Sequence, residues 1–139
     1  MTNELYFEDR SREEVVRSWL EFHRLYEQAG DLGHFTNVGD HEAWSGELLI
    51  RAARADPEFC WHVVLQLIDA AETDETIASI AAGPLEDLLA HHGTLYIDAL
   101  EALSKSQPKV QKAVSGVWQN TTSRDVWLRI QDIQKSVLH

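Results

Sequence analysis

Apolar residues recur along nearly the whole chain at intervals of three and four, and no stretch alternates long enough to make a strand. That pattern restricts the fold more than any other feature, because a striped helix buries its apolar face only against other helices when no sheet is available. Ser11 and Glu14 form a capping-box pattern, and the helix they open carries Val15, Trp19, Phe22 and Tyr26 on one face. Gly30 stops it, and Asp31–Gly39, with a lone Phe35, reads as the longest irregular segment. Asp40 caps a second helix on which Trp44, Leu48 and Arg51 share a face, beside Leu49, Ala52 and Ala53.

Asp56-Pro57 starts a third helix, since Asp caps well and Pro suits the first helical position. Its two adjoining stripes, Cys60, Val64, Leu67, Ala71 and Trp61, Leu65, Ile68, leave little polar surface and predict a central place. Asp74 is expected to cap a short fourth helix, which Gly83-Pro84 breaks. A fifth, with Leu85, Leu88, Leu89 and His92 on one face, ends at Gly93. Ile97, Leu100 and Leu103 mark a sixth, Pro108 opens a seventh through Val117 and Trp118, and Ser123 caps the last, through Val126, Ile130, Ile133 and Val137. The expectation is an all-α fold, a compact stack of about seven to eight helices, with more than about 60% helix and no sheet. Residues 1–139 form a single helical domain, of which 1–10 are a flexible N-terminus. Ala52–Leu65 and Ala102–Gly116 repeat one motif, a helix end followed by Pro and a new helix, so the stack reads as bundle-like or as HEAT-like hairpins.

Charge narrows the function classes. The net charge is −11, yet residues 105–139 hold six of the 12 basic side chains and only two of the 23 acidic ones. Between Arg54 and Lys105 there is no Lys or Arg, while ten acids fall there. A field of one sign repels nucleic-acid phosphates and anionic lipids and attracts basic proteins. No apolar run reaches the roughly 18 residues of a membrane span, and the N-terminus has no signal-peptide core. With a single cysteine there is no intramolecular disulfide, and a cytoplasmic location is expected.

The run Ala81-Ala82-Gly83-Pro84-Leu85-Glu86-Asp87-Leu88-Leu89, followed by His92-Gly93, resembles the signature of an uncharacterised family of small bacterial proteins, a domain of unknown function. The likeness extends over roughly residues 40–130, taking in Trp44 with Glu47, Asp56-Pro57, Trp61, Pro108 and Trp118, which together make about one domain. It implies a bacterial origin and an all-helical fold, and assigns no catalytic residue. Small acidic proteins of this kind also look like immunity proteins that neutralise toxins, an analogy of type rather than of motif.

Candidate chemistry is sparse. Glu86, Asp87, His91 and His92 include ligand and acid–base residue types. Helical phase separates them: His92 points inward, Asp87 and His91 pair on the surface, and Glu86 lies about 100° from Asp87. Asp31, His34, Asp40 and His41 match no metal-ligand spacing and read as a solvated loop. Cys60 sits on an apolar stripe, which predicts a buried thiol with a raised pKa. Of five tryptophans, Trp127 alone falls beside its helix stripe, where it either covers a neighbouring helix or anchors a partner.

The leading reading is a non-enzymatic interaction domain, immunity- or antitoxin-like, with no cofactor and no metal. Its acidic surface, Glu72, Asp74, Glu75, Glu86 and Asp87, with Trp127, would bind a basic protein such as a toxin. The rivals are a small enzyme or metal-binding protein using Glu86, Asp87 and His91, and a homodimer in which the acidic half meets its mate's basic tail. The plain alternative is that these charges only solvate a face or meet Lys105, Lys109, Lys112, Arg124 and Arg129 of the same chain.

Overall fold

The computed structural model describes residues 5–29 and 43–136. The Gly30 stop, the Asp31–Gly39 loop, the Asp40 cap and Val137 lie outside the described residues. Helix makes up 82% of what is described, in α1 (Arg12–Ala29), α2 (Trp44–Ala55), α3 (Pro57–Ala70), α4 (Asp74–Ile80), α5 (Glu86–Ser106), α6 (Pro108–Ser115) and α7 (Arg124–Ser136). A π-helical turn, Ala81–Leu85, joins α4 to α5.

The capping chemistry follows the sequence closely. Ser11 Oγ accepts from the Glu14 N–H at 3.1 Å while Glu14 Oε1 accepts from the Ser11 N–H at 3.2 Å, a reciprocal box. Asp56 Oδ1 accepts from the Phe59 N–H, and Pro57 and Pro108 both open helices after a one-residue connection. The start of α4 is one residue earlier than expected: Thr73 Oγ1, not Asp74, accepts from the Thr76 N–H.

The expected breaks at Gly83-Pro84 and Gly93 are corrected. From Asp74 to Ser106 the chain stays helical, so six rods are present among the described residues instead of seven or eight. Pro84 lacks the N–H that would bond the Ile80 carbonyl, and the wider π turn accommodates its ring. Continuity is favoured by burial, since Ile77, Ile80, Ala81, Pro84, Leu85, Leu88 and Leu89 are all buried along the rod. At Gly93 the rod kinks at His92 (φ −140°, ψ 30°) but does not end. A Cβ on Gly93 would lie 2.9 Å from Val126 Cγ1, so this glycine serves the close approach of α5 and α7.

No sheet was expected, and one small one exists. Tyr6–Phe7 (β1) and Arg10–Ser11 (β2) pair antiparallel around Glu8 and Asp9, whose φ values are 51° and 63°. This hairpin occupies part of the segment expected to be a flexible N-terminus. Its anchors are remote in sequence: Phe7 packs on Phe59 at 5.8 Å between ring centroids, and Glu8 accepts from Arg51 Nε and Nη2 at 2.9 and 2.7 Å.

Helix α3 is central, as its two stripes predict. Phe59, Cys60, Trp61, Val63, Val64, Leu67 and Ile68 are buried, and α1, α2, α4, α5 and α6 all touch it. Its last carbonyls are satisfied by Lys109, whose Nζ donates to the Asp69 and Ala71 oxygens at 2.8 Å each. No helix among the described residues is long and apolar enough to cross a membrane.

Candidate functional site

Three elements meet around a cavity of about 360 Å³. Helix α1 contributes Trp19, Phe22 and His23, which share a face at helical spacing. Helix α2 contributes Ser45, Gly46, Glu47, Leu49 and Ile50, and the rod contributes Ser79, Gly83, Pro84 and Asp87. The walls are mainly apolar, and Ile50 stays 59% exposed at the cavity's edge. Gly46 and Gly83 both sit in helical backbone where a Cβ would meet no described atom within 4 Å. Glycine in a helix interior costs about 1 kcal/mol relative to alanine, so packing among the described residues gives no reason for either.

The cavity's electrostatics are one-sided. Glu47 and Asp87 supply carboxylates, and no Lys or Arg among the described residues lines the space. Arg51, one turn on from Glu47, extends its guanidinium to Glu8 on the hairpin. Burial pushes the Asp87 carboxyl above its usual range, and nearby His91 opposes that only in part. Burial likewise pushes the His23 imidazole down, against the attraction of Glu27, while the ring stacks on Trp19 with centroids 3.7 Å apart. His23 is therefore held toward its neutral form, and Glu47 and Asp87 are the carboxylates among the described residues that line the site.

The six residues expected to bind a partner do not form one surface. Glu72, Asp74 and Glu75 are exposed at the start of α4, and Asp74 is ion-paired with Lys112 Nζ at 2.6 Å. Glu72 stands between two clefts, one lined by Arg17, Glu21, Arg24 and Glu27, the other by Lys109 and Lys112. Glu86, expected on the acidic surface, is instead buried at 8% exposure. Its Oε2 accepts from the Trp118 N–H at 3.1 Å and its Oε1 from the Asn120 side-chain amide. The loop between α6 and α7 folds across Glu86 and buries it from outside its own helix stripe.

Trp127 is half-buried against the core, and Trp118, expected on an apolar helix, is 74% exposed on that loop. The acidic window does meet the basic C-terminal helices of the same chain: Arg129 reaches Asp98 at 2.6 Å and Glu101 at 3.2 Å.

Glu86, Asp87 and His91 do not converge. Glu86 turns to the Trp118–Asn120 loop, Asp87 to the cavity, and His91 is exposed. His92 is half-buried, with Nε2 3.0 Å from the Arg54 carbonyl. Cys60 is buried and its thiol is pushed up to about 12, which leaves it unreactive. Among the described residues no three His, Cys, Asp or Glu side chains gather at ligand distance; Asp31, His34, Asp40 and His41 lie outside them.

Residues 34–137 match the Family of unknown function (DUF6869). The chain belongs to this family. No curated protein and no solved structure matches it. Glu47, Gly83 and Asp87 fall inside the matched span, whereas Trp19, Phe22 and His23 of α1 precede it. Periodicity missed the cavity because its walls come from three helices. Two signals were nonetheless present: Gly46 inside a helical stretch, and Ile50 off the buried face of α2.

Proposed function

We propose that this family member is a bacterial, cytoplasmic, non-enzymatic interaction domain that binds a basic protein through an acidic surface. A toxin is the class of partner such a domain would occlude in an immunity- or antitoxin-like role. The observation that carries this reading is a mainly apolar cavity of about 360 Å³ into which two carboxylates face, with no Lys or Arg among the described residues that line it. Around it the chain is strongly acidic overall, and Glu58, Asp69, Glu72 and Glu75 keep exposed side chains with no ion pair among the described residues. Such charges act mainly by steering encounter and raising the association rate. Lys112 and Arg129 of the basic tail are engaged within the chain, which favours a basic partner of another kind over a second copy as the occupant of the acidic surface.

The test is capture of binding proteins from the source cells at low and moderate salt, identification of the captured protein, and kinetics with the purified pair. Glu72→Lys with Glu75→Lys should keep the helix content and slow association by about tenfold, the loss shrinking as salt screens the charges. An acidic or salt-insensitive partner, or equal association rates, would end the proposal.

A further inference from the structure

We infer that the cavity between α1, α2 and the π turn is the seat of a long basic side chain, Lys or Arg, carried on an exposed segment of the protein partner. The aliphatic stem would lie against Trp19, Phe22 and Ile50, and the cationic head would reach Glu47 and Asp87. This rests on the interaction reading and deepens it by naming the contact.

Three observations converge on that occupant. First, charge complementarity favours a cation with an apolar body: an anion would face two carboxylates, and a purely apolar group would further desolvate Asp87, which His91 compensates only in part. Secondly, the chain keeps its own cation away. Arg51 is near enough to feel Glu47, yet Glu8 takes its guanidinium through two nitrogens from a turn built on two left-handed residues. Thirdly, the space is preserved by absence of side chain, through Gly46 and Gly83. At about 360 Å³ the cavity falls at the lower end of the range for small-ligand sites, room for one long side chain with its flanking atoms.

The experiment uses the full chain and blocked pentapeptides with a central Arg, Lys, citrulline or norleucine between leucines, with free agmatine as a further arm. Backbone and indole NMR shifts report the place of binding, at peptide concentrations that detect millimolar affinity. The expected result is binding of the Arg and Lys peptides with shifts at Trp19, Gly46 and Gly83, and at least about tenfold weaker binding of citrulline and norleucine. Glu47→Gln with Asp87→Asn should reduce Arg-peptide binding by a similar factor, and Gly46→Leu should abolish it with helix content unchanged.

Equal binding of the citrulline peptide, shifts elsewhere, or no binding by any peptide would overturn the inference. Agmatine binding as tightly as the Arg peptide would also overturn it, by assigning the site to a free small cation. The two proposals fail separately. If Glu72→Lys with Glu75→Lys weakens a captured basic partner while Gly46→Leu does not, the cavity inference falls and the interaction reading stands. If the peptides bind in the cavity but no basic protein is captured, the interaction reading falls.

Discussion

Glu86 and Asp87 are consecutive carboxylates in the first turn of α5, and they belong to two regions built on opposite terms. On the Glu86 side the junction of α5, α6 and α7 is closed. The carboxylate accepts from Trp118 and Asn120, Gln134 donates to the Val114 and Val117 carbonyls at 3.0 Å each, and Val126 presses on Gly93. On the Asp87 side, at the junction of α1, α2 and the π turn, a Cβ on either glycine would meet no described atom within 4 Å, and no Lys or Arg among the described residues pairs with the half-buried carboxyl. One region has spent its polar groups on its own fold. The other retains groups that a partner can satisfy. Both groups are carboxylates in one helical turn, so the difference lies in what folds across each of them.

The sharpest way to break this contrast is Glu86→Ala. It removes the charged acceptor that holds the Trp118 N–H and the Asn120 amide to the buried end of α5, and we expect a loss of roughly 1.5–3 kcal/mol in urea unfolding. A loss below about 0.5 kcal/mol, the range of ordinary surface substitutions, would show that the loop holds without it.

Two helical glycines offer a test of opposite sign. Gly93→Ala drives a methyl into Val126 and should cost about 1–3 kcal/mol, with partial recovery in the Gly93→Ala/Val126→Ala double variant. Gly46→Ala meets no described atom and should stabilise by about 0.4–1 kcal/mol. Matching signs in thermal melts would erase the distinction between a closed and an open region.

The smallest expected effect is electrostatic. The carboxyl of Asp87 titrates higher folded than its ordinary 3.8, so the folded state binds the proton more tightly than the unfolded chain. Its contribution is therefore favourable below the unfolded pKa and is lost as pH rises through the folded one. Asp87→Asn should stabilise the protein at pH 7 by on the order of 0.5 kcal/mol after solvent screening, and the gain should vanish near pH 3. His23 runs the other way: its depressed folded pKa makes stability fall as pH drops below about 6.5, and His23→Gln should flatten that part of the curve. A gain at pH 3 that exceeds the gain at pH 7 for Asp87→Asn would invert the assignment.

By itself, the sequence determined what depends on neighbours within a turn or two. The capping box at Ser11 and Glu14, the Asp56-Pro57 start, the Ser123 cap and the central place of the doubly striped α3 are local or periodic, and all appear. The breaks expected at Gly83-Pro84 and Gly93 do not, because Pro and Gly weaken a helix by only a few kcal/mol and burial along the rod outweighs that. Tertiary structure alone decided the hairpin, which exists through Phe59 and Arg51, and the fate of each carboxylate, which depends on the loop or helix that arrives from 30 or more residues away. Helical phase tells which way a side chain points from its own axis. Whether water, a backbone N–H or an apolar wall waits there is set by other segments, and that is what separates Glu86, a fold-holding acid, from Asp87, an acid left facing a cavity.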